Sequence, residues 1–205
     1  AVCLALVLRD FHPARFWHDL QNMRLGWVAA AVAVDLIAWV FQGWRWELLL
    51  RPTARISVAS TTQAVLAGIF VNDVVPLRLG ELVRAYLVAR RIRHPFPDVI
   101  PSMAIEHMFD GIWVFLGVAA AAIFFPLPPQ LNEGARMLAA VLVAGAVVVL
   151  YLAVFRRQSR WGQIIRTIGR SRYFWQAFLV TGIFQLAQGL CYWMVMVAYG
   201  LPLNI

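Results

Sequence analysis

The chain has no lysine. All eighteen of its basic side chains are arginines, set against ten acids for a net charge of +8. Charge of either sign is scarce, at 14% of residues, while 62% are hydrophobic. Cysteine is scarce as well. Cys3 and Cys191 each lie in an apolar run, which excludes a disulfide framework or a metal knuckle. No H-E-x-x-H pair, glycine-rich phosphate loop or His/Cys nucleophile set occurs. We therefore expect no catalytic residue, no metal and no cofactor. Long polar–apolar alternation is missing too, which excludes a membrane β-barrel.

What is present is apolar length. The mean hydropathy is +0.72, and uninterrupted runs approach the twenty residues needed to cross a bilayer. Only helices and closed barrels satisfy every backbone group in lipid. The expected fold is therefore all-α, a polytopic transmembrane helical bundle. The whole chain, 1–205, reads as one domain with spans near 27–50, 57–76, 99–125, 135–155 and 173–199. Residues 1–8 form an apolar run too short to span and without a cleavage-site pattern. We read it as the tail of a truncated first helix, and the abrupt end at 201–205 gives the expectation of a fragment cut at both ends.

The arginines cluster between the runs. Six lie in 156–172 and five in 77–98, so the positive-inside rule puts both segments on the cytoplasmic side and 126–135 outside. Arginine placed this way meets anionic headgroups, and nucleic acid is not an expected partner. Segments 9–26 and 45–55 carry three arginines each. That balance leaves open whether 57–76 crosses fully or turns back. Its longest apolar run, 64–71, has eight residues and is flanked by Ser57, Ser60, Thr61, Thr62 and Gln63 before it, and Asn72, Asp73 and Pro76 after it. That polarity favours a re-entrant or broken helix across 57–93, a backbone tolerated where it is buried in protein or lines a wet cavity.

Asn72 to Arg84, N-D-V-V-P-L-R-L-G-E-L-V-R, organises the rest. A charge at bilayer depth costs roughly 2.5–3.5 kcal/mol, so this cluster needs partners or water. Pro76 and Gly80 bracket a helix start, and Arg78 beside that start makes an anion site. Leu79, Leu82, Val83, Tyr86 and Leu87 can form one face of the returning helix, with Arg84 and Arg91 on another. Glu81 and Arg84 are three apart and able to pair. Glu106 and Asp110 are four apart on one face of the following span, about 10 and 16 Å deep by helical rise. Two carboxylates there repel unless a cation lies between them or one is protonated. The expected network is Arg78, Glu81, Arg84, Glu106 and Asp110, extended by Asp35 or Arg45. Asp35, about 12 Å into its span, is either ion-paired or part of a polar pathway. Gln185 and Gln188 read as interhelical hydrogen-bonding groups.

Three motifs then align with a known family. Residues 68–87, G-I-F-V-N-D-V-V-P-L-R-L-G-E-L-V-R-A-Y-L, resemble the signature of the lysylphosphatidylglycerol synthase transmembrane-domain family, also called flippase-like domain proteins. Trp44-Arg45-Trp46-Glu47-Leu-Leu matches its R-W-x-x-L-L element. Glu106-His107-Met-Phe-Asp110 matches its E-R-x-x-D element, with His107 where arginine is usual. The resemblance covers roughly residues 10–200.

It implies a multi-pass protein of the bacterial cytoplasmic membrane that moves lipid without synthesising it, since the soluble aminoacyl-transferase domain of bifunctional members is not part of this sequence. Its cargo would be an anionic or aminoacylated phospholipid, or a lipid-linked sugar, with a glycosyltransferase or synthase as partner. In that reading Arg45, Arg78 and Arg84 contact phosphate. Glu81, Glu106 and Asp110 hold those arginines or a cationic headgroup, and Asn72, Pro76 and Gly80 shape the break. Two other readings stand beside it: a subunit of a lipid-modifying enzyme, and a scaffold whose charges only join helices and whose 156–172 segment recruits a soluble partner.

Overall fold

The computed structural model describes residues 23–75, 79–124, 129–156 and 158–200. Among these the protein is all-helical, with seven α-helices, one short 3-10 helix and no strand. The helices are α1 (Leu25–Leu50), α2 (Val58–Val74), α3 (Gly80–Ile92), α4 (Ile100–Phe124), α5 (Pro129–Val154), α6 (Arg160–Arg170) and α7 (Arg172–Ala198), with the 3-10 turn Phe96–Asp98 leading into α4. Four stretches are long and apolar enough to cross a membrane: Leu25–Leu50, Phe96–Ile123, Glu133–Val154 and Arg172–Ala198. The fold is the polytopic helical bundle that run length demands.

The chain forms two compact units, one of Ala1–Leu36 with Ala187–Ile205, the other of Ile37–Leu186. In the first, the start of α1 lies along the end of α7. Trp27 meets Trp193 edge-on at 5.6 Å, and the Arg24 N–H donates to the Ala198 carbonyl at 3.1 Å. Gln188 Nε2 donates to Asp35 Oδ1 at 3.2 Å, the interhelical bond its position suggested.

The second unit is built on a helical hairpin. Neither α2, 17 residues, nor α3, 13 residues, reaches the roughly 30 Å of a hydrocarbon core at about 1.5 Å per residue. They pack antiparallel, Arg91 of α3 donating to Ser60 O and Gln63 Oε1 of α2 at 3.2 and 2.8 Å. Ser57 caps α2 by accepting the Ser60 N–H. Arg93 ends α3 in the left-handed region, φ 56°, and Pro95 and Pro97 follow where the helix cannot continue.

One buried cluster then joins Trp46 and Leu50 at the end of α1, Ala64 and Val65 of α2, Ala85 and Val88 of α3, and Val99 and Met103 at the start of α4. Trp46 Nε1 donates to Ser102 Oγ at 3.1 Å. The end of α1 and the start of α4 are therefore neighbours, and the hairpin leaves and returns at the same end of this unit. Small residues allow the approach. A Cβ on Gly43 would overlap Thr62, and one on Gly80 would overlap the Gly68 carbonyl and the Asn72 side chain.

One face is assigned here and one expectation changes. In α3 the buried face is Gly80, Arg84, Ala85, Val88 and Ala89, while Leu79, Leu82 and Tyr86 of the apolar face are exposed and Leu87 packs at the edge of the buried cluster. Small residues with one arginine face the core, because close helix packing selects small side chains. The arginine-rich 156–172 segment is also more than a loop. It contains α6, capped by Ser159 and burying Gly162, Ile165 and Ile168. A Cβ on Gly162 would overlap the Leu152 and Arg156 carbonyls, so this glycine lets α6 close against the end of α5.

Candidate functional site: a buried arginine–carboxylate network

Helix α1 presents Arg45 inward because its neighbours on that face, Ala38 and Leu49, are fully buried. Five residues from the end of α1, Arg45 is about 8 Å deep. Glu106 and Asp110 are six and ten residues into α4, about 9 and 15 Å from the same end of the unit. Depth alone therefore brings them together. Arg45 and Glu106 are both completely buried.

Arg45 bridges both carboxylates. Its Nη1 pairs with Asp110 Oδ1 and its Nη2 with Glu106 Oε1, and Nη2 also reaches Asp110 Oδ2 at 3.3 Å. Arg84 enters from α3, with Nη1 3.1 Å from the same Glu106 oxygen. Its Nε donates to Glu81 Oε2 at 2.9 Å. Gln42 Nε2 approaches Glu106 Oε1 at 3.5 Å, and Gln185 Nε2 donates to Asp110 Oδ1 at 3.3 Å. Both guanidinium groups lie over aromatic rings, Arg45 over Phe184 at 5.2 Å and Arg84 over Trp46 at 5.0 Å. A ring face is a favourable surface for a buried cation.

The network answers the repulsion between Glu106 and Asp110: a guanidinium lies between them. It also leaves groups unsatisfied. Glu106 Oε2, Arg45 Nε and Gln42 Oε1 are buried with no hydrogen-bond partner among the described residues. Two arginines face three carboxylates, and His107, 3.4 Å from Glu81, is the third nitrogen group set against them. Its open edge holds the Glu81, Asp110 and His107 side chains, 43%, 27% and 58% exposed, while the arginines are sealed.

His107, where the family pattern has arginine, places Nε2 3.4 Å from Glu81 Oε2. The position thus sets a nitrogen against that carboxylate. Burial pushes the Glu81 carboxyl up, but the His107 hydrogen bond and the Arg84 charge outweigh it and hold the group below its usual range. Burial also disfavours the Arg84 charge, and Glu106 and Glu81 more than offset it, so its pKa rises.

Of the sequence-derived residues, the structure brings together Arg45, Glu81, Arg84, Glu106 and Asp110. Arg45 is the arginine that bridges Glu106 and Asp110. Pro76 and Arg78 lie outside the described residues. Asn72 and Gly80 meet each other, the Gly80 N–H donating to Asn72 Oδ1 at 2.8 Å. That N–H, expected to face an anion at the helix start, is used inside the hairpin. Gln42 and Gln185 complete the site. Gln185 was legible as an interhelical donor; Gln42, three residues before Arg45 on the same face, carried no separate signal. Among the described residues no group of three or more His, Cys, Asp or Glu side chains could hold a metal.

Comparison with known proteins agrees with the motifs. The family model of the lysylphosphatidylglycerol synthase TM region matches residues 1–205. The glycosyltransferase AglD of Haloferax volcanii is 28% identical over 149 residues. The alignment covers 72% of this chain and 24% of that relative, so the chain spans about a quarter of the curated relative it matches. No solved structure gives a significant match.

Proposed function

Because the chain belongs to the lysylphosphatidylglycerol synthase TM region family, a membrane domain related to lipid-modifying enzymes, we propose that it binds the headgroup of a charged lipid at the Arg45–Glu106–Arg84 network and carries it across the membrane. The cargo is an aminoacylated or anionic phospholipid, or a lipid-linked sugar, in a bacterial cytoplasmic membrane with the arginine-rich segments inside.

The observation that carries the reading is the buried network whose outer carboxylates, Glu81 and Asp110, stay accessible. Two sealed arginines hold the three carboxylates in place, while Glu81 and Asp110, with His107 beside Glu81, stay accessible. Those two carboxylates suit the ammonium of an aminoacylated headgroup. Arg45 and Arg84 then hold the carboxylates in place and do not meet phosphate themselves. The phosphate contact falls to Arg78, two residues after Pro76 in the sequence. The hairpin of α2 and α3 supplies a short, non-spanning wall along which tails stay in lipid while the headgroup passes.

The test is reconstitution of full-length protein in liposomes with fluorescent phosphatidylglycerol and its lysyl form, beside Glu81→Gln and Asp110→Asn variants. Both positions are partly exposed, so membrane abundance should hold. Loss of lysyl-lipid movement at unchanged abundance supports translocation through this site. Movement equal to wild type in both variants rejects it.

A second reading has its own support. The 28% identity to a protein named a glycosyltransferase favours a membrane part that presents a lipid-linked sugar to a transferase partner. Transfer from a polyprenyl-phosphate sugar that depends on Glu106 and Asp110, without flipping, favours this reading over translocation.

A further inference from the structure

Helix α6 carries two arginines that no carboxylate among the described residues neutralises. Arg160, on the same helix, lies 3.5 Å from Asp98, and Arg45, Arg51, Arg84 and Arg136 each pair with a carboxylate. Arg166 and Arg170 have no acidic partner and no side-chain hydrogen bond among the described residues. They are four apart, so they are neighbours on one helix face and repel each other unless an anion lies between them.

The space around them is divided. On one side Arg166 and Arg170 border an apolar slot of about 310 Å³ walled by Ile105 and Phe109 of α4, Val149 and Ala153 of α5, and Phe174 of α7. On the other they border a polar hollow of about 380 Å³ shared with Gln163 and Thr167. The helix is fixed in this position by its Ser159 cap and by Gly162, Ile165 and Ile168 buried beneath it. One wall of the slot, α5, has no buried residue in its most apolar window, so hydrocarbon tails have direct access.

We propose that this is a binding site for an anionic phospholipid, with one acyl chain in the apolar slot and the phosphodiester on Arg166 and Arg170. A tail and an anion joined in one molecule match the two halves of the site; free phosphate fills only the polar half, and an apolar helix only the slot. Basic pockets between spans hold acidic headgroups by this combination of charge and adjoining hydrocarbon. None of the network residues takes part, so the site is separate from the proposed cargo path and holds a resident lipid.

The experiment is native mass spectrometry of full-length protein released from nanodiscs of mixed phosphatidylglycerol and phosphatidylcholine. Wild type should retain phosphatidylglycerol in preference. Arg166→Gln with Arg170→Gln should lower that retention by about tenfold or more, from roughly fivefold for each arginine beside an anionic headgroup, and leave phosphatidylcholine unchanged. Ala153→Phe, which fills the slot, should lower retention of both lipids. Arg136→Gln, an exposed arginine outside the site, should change nothing, and millimolar inorganic phosphate should not displace the lipid. Undiminished phosphatidylglycerol retention in the folded double variant overturns the proposal. So does displacement by inorganic phosphate alone, or an Ala153→Phe protein that changes only its oligomeric state.

Discussion

Asn72 of α2 accepts the backbone N–H of Gly80 at 2.8 Å, so a side chain at the end of one hairpin helix caps the start of the other. Replacing it with alanine leaves that N–H without its partner and should cost about 0.5–2 kcal/mol, whereas Asn72→Asp keeps an acceptor and should cost less. Gly80→Ala forces a methyl into the Gly68 carbonyl and should cost about 1–3 kcal/mol through overpacking. Thermal unfolding in detergent measures all three, and equal midpoints for Asn72→Ala and wild type would refute the cap.

Glu106 is the carboxylate on which both buried arginines converge. Removing its charge takes away the carboxylate that the two cations share, leaving Arg45 only Asp110 and Arg84 only Glu81. Breaking a buried pair in this way costs about 3–5 kcal/mol, so Glu106→Gln should lower both the unfolding midpoint and the membrane abundance. Asp110→Asn sits at the open edge with a Gln185 hydrogen bond still available and should be milder. A milder Glu106→Gln would show that this carboxylate is not the hub.

The Glu81 carboxyl is held below its ordinary pKa by His107 and Arg84. A carboxylate depressed in the fold contributes stability above its unfolded pKa and loses that contribution as pH falls through the folded value. The unfolding midpoint should therefore fall with acidification below the usual carboxylate range, and Glu81→Gln should flatten that part of the profile. A parallel profile in the variant would place the acid sensitivity elsewhere.

The hairpin makes a topological prediction. In a background with Cys3→Ser and Cys191→Ser, cysteines replacing Ser57 and Arg93 should react with a membrane-impermeant maleimide from the same face, and one replacing Glu133 from the opposite face. Ser57 and Arg93 labelling from opposite faces would mean that α2 or α3 crosses.

Fold class was legible from the length of the apolar runs, because backbone hydrogen bonding in lipid leaves so few options. The residues of the network were legible for a related reason: charges inside apolar helices must find one another. Their pairing was not. Whether Arg45, Asp35 or Arg78 would meet Glu106 and Asp110 depends on how closely α1, α2 and α3 approach, and that is set by Gly43, Gly68 and Gly80 at crossings no periodicity announces. Helix α6 was hidden for another reason. Trp161, Ile164, Ile165 and Ile168 mark one face at helical spacing, but six arginines in 156–172 dominate the composition of that segment and its cue for a loop.

Helix α5 has no fully buried residue across its most apolar window, and one of its few close fits is Leu142 against Gly111, where a methyl on the glycine would overlap the leucine. A saturation library over 137–148, short of the slot residues Val149 and Ala153, should accordingly read almost flat. Leucine, valine, alanine, isoleucine and phenylalanine should substitute for one another with little penalty, and lysine or aspartate should be rejected wherever the helix crosses hydrocarbon. Position 142 should stand out as a narrow dip in that plateau. Drift along this part of the helix is then nearly neutral within the apolar alphabet, and two descendants of one ancestor can diverge here without diverging in what they do.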